Sequence, residues 1–135
     1  VQALVAPTKL MQPRRSTRGI EAARLHQLLA VLARHGGIPF DDREVYVGLV
    51  GGLRVVEPAI DLPLALALVS SLLNKPLGRM AAWGEVGLTG EIRSVPHESR
   101  RREESKRLGV DRIAVSSDVS SLAEALQWAG LMPGA

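Results

Sequence analysis

Two carboxylates stand just ahead of a long apolar run in the stretch VVEPAIDLPLALALVSSLLNKP, residues 55–76. Glu57 and Asp61 could act as general acid and base if burial separated their pKa values. Acidic side chains at a helix start also offset the helix dipole and cap its exposed N–H groups, and we favour this structural role. Because no nucleophilic side chain lies between them, the stretch indicates at most an incomplete active site.

The sequence contains no motif for nucleotide binding, disulfide formation or metal binding. The chain has no G-x-x-x-x-G-K-[ST] phosphate loop and no G-x-G-x-x-G motif opening a helix after a strand. It contains no cysteine, which excludes disulfides and thiolate metal ligands. Because the three histidines, His26, His35 and His97, share no ligand spacing, we predict no metal site and no cofactor in this domain.

Composition indicates a globular domain. The 135 residues are 46% hydrophobic and carry a net charge of +3, so we expect one domain over residues 1–135 with a packed core. The apolar run at residues 62–73 is too short to span a bilayer. With no secretory leader visible, we expect a cytoplasmic protein and no membrane partner. The start at Val1 without a methionine suggests a domain excised from a longer protein.

The periodicity predicts mixed helices and strands. We expect a strand over residues 1–6, a loop over 8–19 and an amphipathic helix over 20–34, capped by Ser16 or Thr17 and ended by Gly36-Gly37. A half-buried strand follows over residues 43–50, which residues 53–56 continue beyond Gly51-Gly52.

A helix that is apolar almost all round is predicted over residues 60–73. Residues 79–95 read as a hairpin, with Gly84, Gly87 and Gly90 in tight backbone turns. We then expect a highly charged helix over 97–108, a short strand over 111–116, and a last helix over 120–129 capped by Asp118 or Ser120. This mixture predicts an α+β fold.

Two motifs together carry a family resemblance. VGGLRVVEPAIDLPLALALVSSLLNKPL followed by WGEVGLTGEIRSVP resembles the carboxy-terminal domain of the RadA (Sms) family of bacterial DNA-repair and recombination ATPases. The earlier segments VQALV and PRRSTRGIEAARLHQLLAVLARHGG match in the same order, so the resemblance runs from Val1 to about residue 116. Since that domain is related to the proteolytic domain of Lon, the resemblance implies a Lon-protease-like domain: a mixed sheet with packed helices around one central buried helix.

The resemblance also implies a peptidase-like site that lacks its nucleophile and its general base. In active Lon-type peptidases the helix begins Gly-Pro-Ser-Ala-Gly; the proline matches Pro58, and the nucleophilic serine falls on Ala59. The general-base lysine falls on Ser99. A Ser–Lys mechanism needs both residues, so we expect no enzyme activity. The alternative is a divergent peptidase with a relocated nucleophile, for which the candidates are Ser70, Ser71 and Ser99.

For the whole protein, the resemblance implies a zinc-binding module and a RecA-like ATPase outside this chain, so ATP, Mg and Zn are expected in those missing domains. It also implies a hexameric ring that processes branched recombination intermediates. This domain would then be a homo-oligomeric scaffold with a surface for duplex or branched DNA. The competing hypothesis is a pure oligomerisation domain that never contacts DNA.

Basic residues form two clusters. Residues 8–24 hold five basic side chains against one acid, and we expect their phosphate contacts to come from a loop. Residues 97–112 are also rich in arginine, but glutamates three or four positions away would neutralise much of this charge. Arg102, Ser105 and Lys106 replace apolar residues expected there, which predicts an unusually exposed helix. The DNA-binding candidates are Lys9, Arg14, Arg15, Arg18, Arg101 and Arg102.

Overall fold

Helices are interspersed with strands along the chain in the computed structural model, which describes residues 1–49 and 57–132. The predicted α+β class is confirmed. The predicted strand over residues 53–56 and its Gly51-Gly52 interruption lie outside the described residues. The strands are β1 (Gln2–Pro7), β2 (Arg15–Arg18), β3 (Arg43–Gly48), β4 (Met80–Ala82), β5 (Glu85–Val86), β6 (Ile92–Arg93) and β7 (Arg112–Ala114). The helices are α1 (Ala22–Gly36), α2 (Asp61–Leu73), α3 (Glu98–Arg107) and α4 (Leu122–Trp128).

A three-stranded sheet holds the amino-terminal part of the chain, in the order β1-β3-β2. β1 runs antiparallel to β3 and β2 runs parallel to it, so that Leu4 and Ser16 lie on either side of Tyr46. The prediction of a continuous loop over residues 8–19 is therefore wrong at β2. Its four polar residues form a strand because β3 supplies hydrogen-bond partners from far along the sequence, which no local pattern reveals.

The central helix α2 confirms the prediction of an enclosed helix. A single turn of 3₁₀ helix at Pro58–Ile60 leads into it, and Asn74 ends it in the left-handed conformation. Within the described residues, no helix is long and apolar enough to cross a membrane. The largest fully buried side chains come from α1, α2, α4 and their neighbours: Leu25, Leu28, Leu32, Val45, Leu62, Leu64, Leu66, Leu68, Val69, Leu122, Leu126 and Leu131.

The helix caps differ from the predicted ones. α1 has Glu21 at its N-cap, without a side-chain hydrogen bond. Ser16 and Thr17 belong to β2 instead, so their predicted capping role is wrong. The predicted end of α1 is confirmed, because Gly37 takes the left-handed conformation with φ 68° and donates to the carbonyl of Leu32.

At α4 the cap is Ser121, whose hydroxyl accepts a hydrogen bond from the Glu124 N–H at 3.1 Å. The predicted caps, Asp118 and Ser120, are therefore wrong. The Asp118 carboxylate accepts instead from the Val115 N–H at 2.9 Å. Several polar residues precede this helix, and a preference for serine or aspartate cannot choose among them.

The glycine-rich hairpin is confirmed, since β5 pairs antiparallel with β6; β4 instead pairs in parallel with β7. Gly90 sits in the turn with φ 83°. The prediction that Gly84 serves a tight turn is wrong, because its φ is not positive and its role is close packing. A Cβ on Gly84 would lie 2.7 Å from Ile92 Cγ2 and 3.5 Å from Leu62 Cδ2.

We expect Gly84→Ala to lower the free energy of unfolding by about 1–3 kcal/mol, because its methyl group would overpack the buried contact with Ile92 and Leu62. Gly87→Ala is the matched control. The nearest atoms to a Cβ at Gly87 belong to the carboxylate of Glu91, which ends a flexible side chain and can swing away. Its cost should stay below about 1 kcal/mol. Urea unfolding of both variants checks this, and equal losses would contradict the packing role.

Candidate functional site

The position predicted for a nucleophile is held rigidly but carries only a methyl group. Ala59 lies in the 3₁₀ turn before α2 and is 2% exposed. Its carbonyl accepts a hydrogen bond from the Gly84 N–H at 3.1 Å, and the Gly84 carbonyl accepts from the Leu62 N–H at 3.0 Å. The two backbone hydrogen bonds of Gly84 thus hold the 3₁₀ turn and the start of α2 against this segment. The resulting site has defined geometry and no reactive atom at its centre.

A cleft of about 460 Å³ opens beside Ala59. This volume falls within the range of small-molecule sites. Its walls are mostly apolar, with Pro63, Met80 and Trp83 among the lining residues. The charged residues on its lining are Glu57 and Arg101, which form an ion pair with each other.

Ser99, the position predicted for a general base, lies exposed in the first turn of α3 and is not among the residues lining this cleft. Arg101, two residues further on, reaches the cleft instead. A guanidinium stays protonated in proteins and cannot serve as a general base. Its placement had no sequence signal, because its partner Glu57 lies 44 residues away.

Two of the three hydroxyls proposed for a relocated nucleophile, those of Ser70 and Ser71, make structural hydrogen bonds. The Ser71 Oγ accepts from the backbone N–H of Val5 at 2.9 Å, which ties the end of α2 to β1. The Ser70 hydroxyl donates to the carbonyl of Lys75, just past the end of the helix. Neither serine lines the cleft beside Ala59.

Asp61 is a buried carboxylate that joins three elements. It is 3% exposed, lies 2.6 Å from Arg24 Nη1 of α1, and accepts the Val86 N–H of β5 at 3.1 Å. Burial raises the pKa of Asp61 above its ordinary value of 3.8, although the hydrogen bonds from Arg24 and Val86 act in the opposite direction. Asp61 therefore makes tertiary contacts, and the prediction that it caps the N–H groups at the start of the helix is wrong.

The two carboxylates of the opening motif serve different ion pairs. Glu57 pairs with Arg101 of α3 at the cleft, whereas the buried Asp61 pairs with the partly exposed Arg24 of α1. An acid–base pair would need both carboxylates to converge on one substrate position. Their separate partners support the structural interpretation of both residues.

The charged helix α3 is attached mainly by polar contacts. Ser105 is its single buried residue, and the hydroxyl donates to the Arg101 carbonyl within the same helix at 2.9 Å. At its amino end, the Glu98 carboxylate accepts from the Ser116 hydroxyl at 2.7 Å. The residue before it, His97, has φ 64°, an uncommon conformation for a side chain of this size. Most of α3 is exposed, as predicted, but Ser105, one of the three residues on which that prediction rested, is buried.

Ion pairs complete this attachment. The predicted intrahelical neutralisation holds for Arg107, which pairs with Glu104. Arg101 and Arg102 behave differently, because they pair with Glu57 and Asp118 on other parts of the chain. The two arginines of α3 that are predicted to contact DNA, Arg101 and Arg102, thus form ion pairs that hold α3 to the domain.

We expect Glu57→Gln combined with Asp118→Asn to loosen α3. Partly exposed ion pairs contribute up to about 1 kcal/mol each, so local opening should become about tenfold more frequent. Hydrogen exchange of the α3 amides measures this. Glu104→Gln removes a pair within the helix and is the matched control, with little expected change. If the control accelerates exchange as much as the double variant, the attachment does not depend on these two ion pairs.

The amino-terminal basic cluster divides into two sets. Lys9, Arg14 and Arg18 are exposed, and no carboxylate within residues 1–49 and 57–132 pairs with them. In β2 the exposed residues Ser16 and Arg18 alternate with half-buried neighbours. The exposed cations therefore belong to the solvent side of this sheet edge and its adjoining loop.

Arg15 belongs to the other set, because its side chain is half-buried and its guanidinium donates to the backbone. One nitrogen donates to the carbonyl of Arg43, and the other donates to the carbonyl of Phe40 at 2.8 Å. These bonds connect β2 to the segment that leads into β3. Because residues 8–19 were predicted to form a loop, the sequence did not indicate that Arg15 is half-buried while Arg14 is exposed.

No metal cluster is built by the described residues: within them, no three His, Asp or Glu side chains come close enough together to hold an ion.

Comparison with known proteins identifies relatives, although no family model matches the chain. Over 116 residues, 85% of this chain, it is 49% identical to the DNA repair protein RadA of Pseudomonas aeruginosa and 47% identical to that of Escherichia coli. Over 123 residues it is 40% identical to the RadA of Brucella abortus. The chain spans 26%, 25% and 26% of these proteins, about a quarter of their length. It is therefore homologous to a segment of the DNA repair proteins RadA, and the family predicted from the sequence is confirmed.

Proposed function

We propose that this chain is a non-catalytic, DNA-contacting scaffold domain with a Lon-protease-like fold, part of a RadA-type cytoplasmic protein that acts in DNA repair and recombination. The proposed DNA contact rests on three exposed basic residues, Lys9, Arg14 and Arg18. No carboxylate of the described residues pairs with them. The relatives are named DNA repair proteins, which supports DNA as the polyanion.

The spacing of these cations suits a phosphate backbone. Arg14 and Arg18 are four residues apart along an extended strand, hence about 13 Å, which is too far for both to hold one phosphate. We count Lys9, Arg14 and Arg18 as three separate phosphate contacts. Long basic side chains that reach phosphates carry no sequence information, so binding should be independent of sequence.

The proposed scaffold works in a homo-oligomer, a hexameric ring in the full-length protein, that acts on duplex or branched DNA intermediates. ATP, Mg²⁺ and Zn²⁺ would bind to parts of that protein outside this chain. The alternative is an oligomerisation domain without DNA contact. Fluorescence anisotropy with duplex DNA over a salt series, beside light scattering for oligomer size, tests the two. Three phosphate contacts give a log–log slope of about −2.7, whereas a pure oligomerisation domain shows no salt-dependent binding.

We expect no peptidase turnover from this chain on casein or fluorogenic peptides. Ala59 offers no nucleophile, and the basic side chain at its cleft is the guanidinium of Arg101, which is a hydrogen-bond donor and not an acceptor. Ala59→Ser with Ser99→Lys should restore little activity, because position 99 does not line the cleft. An active Lon-type peptidase serves as the positive control. Stoichiometric labelling of any serine by a phosphonate probe would overturn the non-catalytic assignment.

A further inference from the structure

The loop between β1 and β2 presents apolar side chains to solvent. Leu10 is 50% exposed and Met11 is 100% exposed. The base of the loop is held by the Thr8 N–H, which donates to the Asp42 carbonyl at 2.9 Å. The Leu10 N–H in turn donates to the Thr8 Oγ1 at 3.2 Å. The two apolar side chains are thus carried on an anchored projection.

Basic side chains lie on both sides of this tip along the chain, and the exposed carboxylate of Asp42 at the base of the loop is paired with Arg43. Residues 1–20 contain four basic side chains and no acidic one. Lys9 is adjacent to the tip and exposed, and Arg14 is exposed where the loop leads into β2. Arg18 is exposed further along β2, opposite Gly48 at the other end of the sheet. A partner that complements this surface needs negative charge on both sides of an apolar element. Nucleic acid has this combination, because phosphates flank the apolar faces of its bases.

We propose that Leu10 and Met11 form an apolar wedge that packs against bases at a junction between duplex and single-stranded DNA, while Lys9, Arg14 and Arg18 hold the adjoining phosphates. This inference rests on the proposed DNA contact and names the structure of the DNA that it favours. Apolar residues such as leucine and methionine act as wedges between base steps in proteins that kink DNA.

A junction suits this wedge better than a continuous duplex. Separating a stacked base step costs a few kcal/mol, whereas at a junction one face of the terminal base pair is already open. An extended single strand is a poorer match, because such strands are held by stacking on successive aromatic side chains, and the tip has an aliphatic and a thioether side chain. The favoured ligand is therefore a forked or branched duplex end.

The experiment compares two DNA probes of equal length, a forked duplex and a continuous duplex, with 2-aminopurine at the base pair next to the fork. For the wild-type chain we expect an affinity about tenfold higher for the fork, and an increase in 2-aminopurine fluorescence on binding. The variant Leu10→Ser with Met11→Ser should bind both probes with the same affinity and leave the fluorescence unchanged. Its salt dependence should stay at the wild-type slope.

Leu88→Ser is the matched control, because Leu88 is 67% exposed at the tip of another loop, the β5–β6 hairpin. This variant should keep the fork preference and the fluorescence change. Circular dichroism of each variant checks that it is folded.

The outcomes separate the wedge from the DNA contact itself. If the wild-type chain binds duplex with the expected salt slope but shows no fork preference, the wedge is overturned and the DNA contact stands. If it binds neither probe, the proposed function fails as well. If the double serine variant dissociates an oligomer in light scattering while DNA binding persists unchanged, the tip contacts a second copy of the chain and the wedge is again overturned.

Discussion

Replacing Asp61 with alanine is expected to lower the free energy of unfolding by about 3 kcal/mol, the lower end of the cost of breaking a buried ion pair. The substitution removes the carboxylate that lies 2.6 Å from Arg24 and the acceptor of the buried Val86 N–H. Because Asp61 connects α1, α2 and β5, the loss should appear in the global unfolding transition. Urea unfolding followed by circular dichroism measures it.

A double-mutant cycle separates the contribution of the ion pair to stability from the effect of the lost side-chain volume. Arg24→Met leaves the buried Asp61 carboxylate beside an apolar side chain and should be strongly destabilised, whereas Asp61→Leu leaves the guanidinium of Arg24, whose side chain is 19% exposed, and should cost less. The double variant replaces both charges by apolar groups and should lose less than the sum of the two single losses. Strict additivity would mean that Asp61 acts through Val86 or through packing alone.

The pH dependence gives an independent test of the same residue. Burial raises the pKa of Asp61 in the folded chain above its ordinary value of 3.8. At a pH between these two values, the folded chain keeps a proton on Asp61 that the unfolded chain has released. Its contribution to stability is then fully present below pH 3.8 and declines as the pH rises through the folded-state pKa. The stability difference between wild type and Asp61→Asn should therefore shrink over this window. A difference that grows with pH would mean that attraction to Arg24 outweighs burial.

Elements with a strong local signal were predictable from the sequence. The run of apolar residues over 60–73 leaves no polar face, so an enclosed helix is its natural structure, and α2 at Asp61–Leu73 matches it closely. The hairpin is similar, since Gly90 provides the positive φ that its turn needs. In both cases the determining interactions lie within a few residues along the chain.

The remaining features depend on partners that are distant in sequence. β2 is polar and would stay a loop without β3 beside it. Glu57 and Arg101 are paired across 44 residues, and Arg15 bonds to carbonyls 25 and 28 residues away. A composition count treats all arginines alike. Only the folded chain separates those that hold structure from those that face solvent.

The distinction between structural and exposed arginines predicts which variants weaken DNA binding. Arg14→Ala with Arg18→Ala removes two of three proposed phosphate contacts, so the log–log salt slope should become about 1.8 units shallower. If the wild-type chain and the double variant bind DNA equally at 1 M salt, the shallower slope makes the affinity of the double variant about 60-fold lower than that of wild type at 0.1 M salt. Fluorescence anisotropy on duplex DNA, repeated over a salt series, measures both quantities.

Two control variants distinguish a phosphate contact from a general loss of positive charge. Arg15→Ala removes the bonds to Phe40 and Arg43 and should lower stability while leaving the slope unchanged. Arg101→Ala with Arg102→Ala removes two positive charges that are already paired with Glu57 and Asp118. It should therefore flatten the slope far less than Arg14→Ala with Arg18→Ala, although the net charge changes equally. Equal flattening by the two double variants would show that DNA responds to overall charge, and would remove Arg14 and Arg18 from the contact surface.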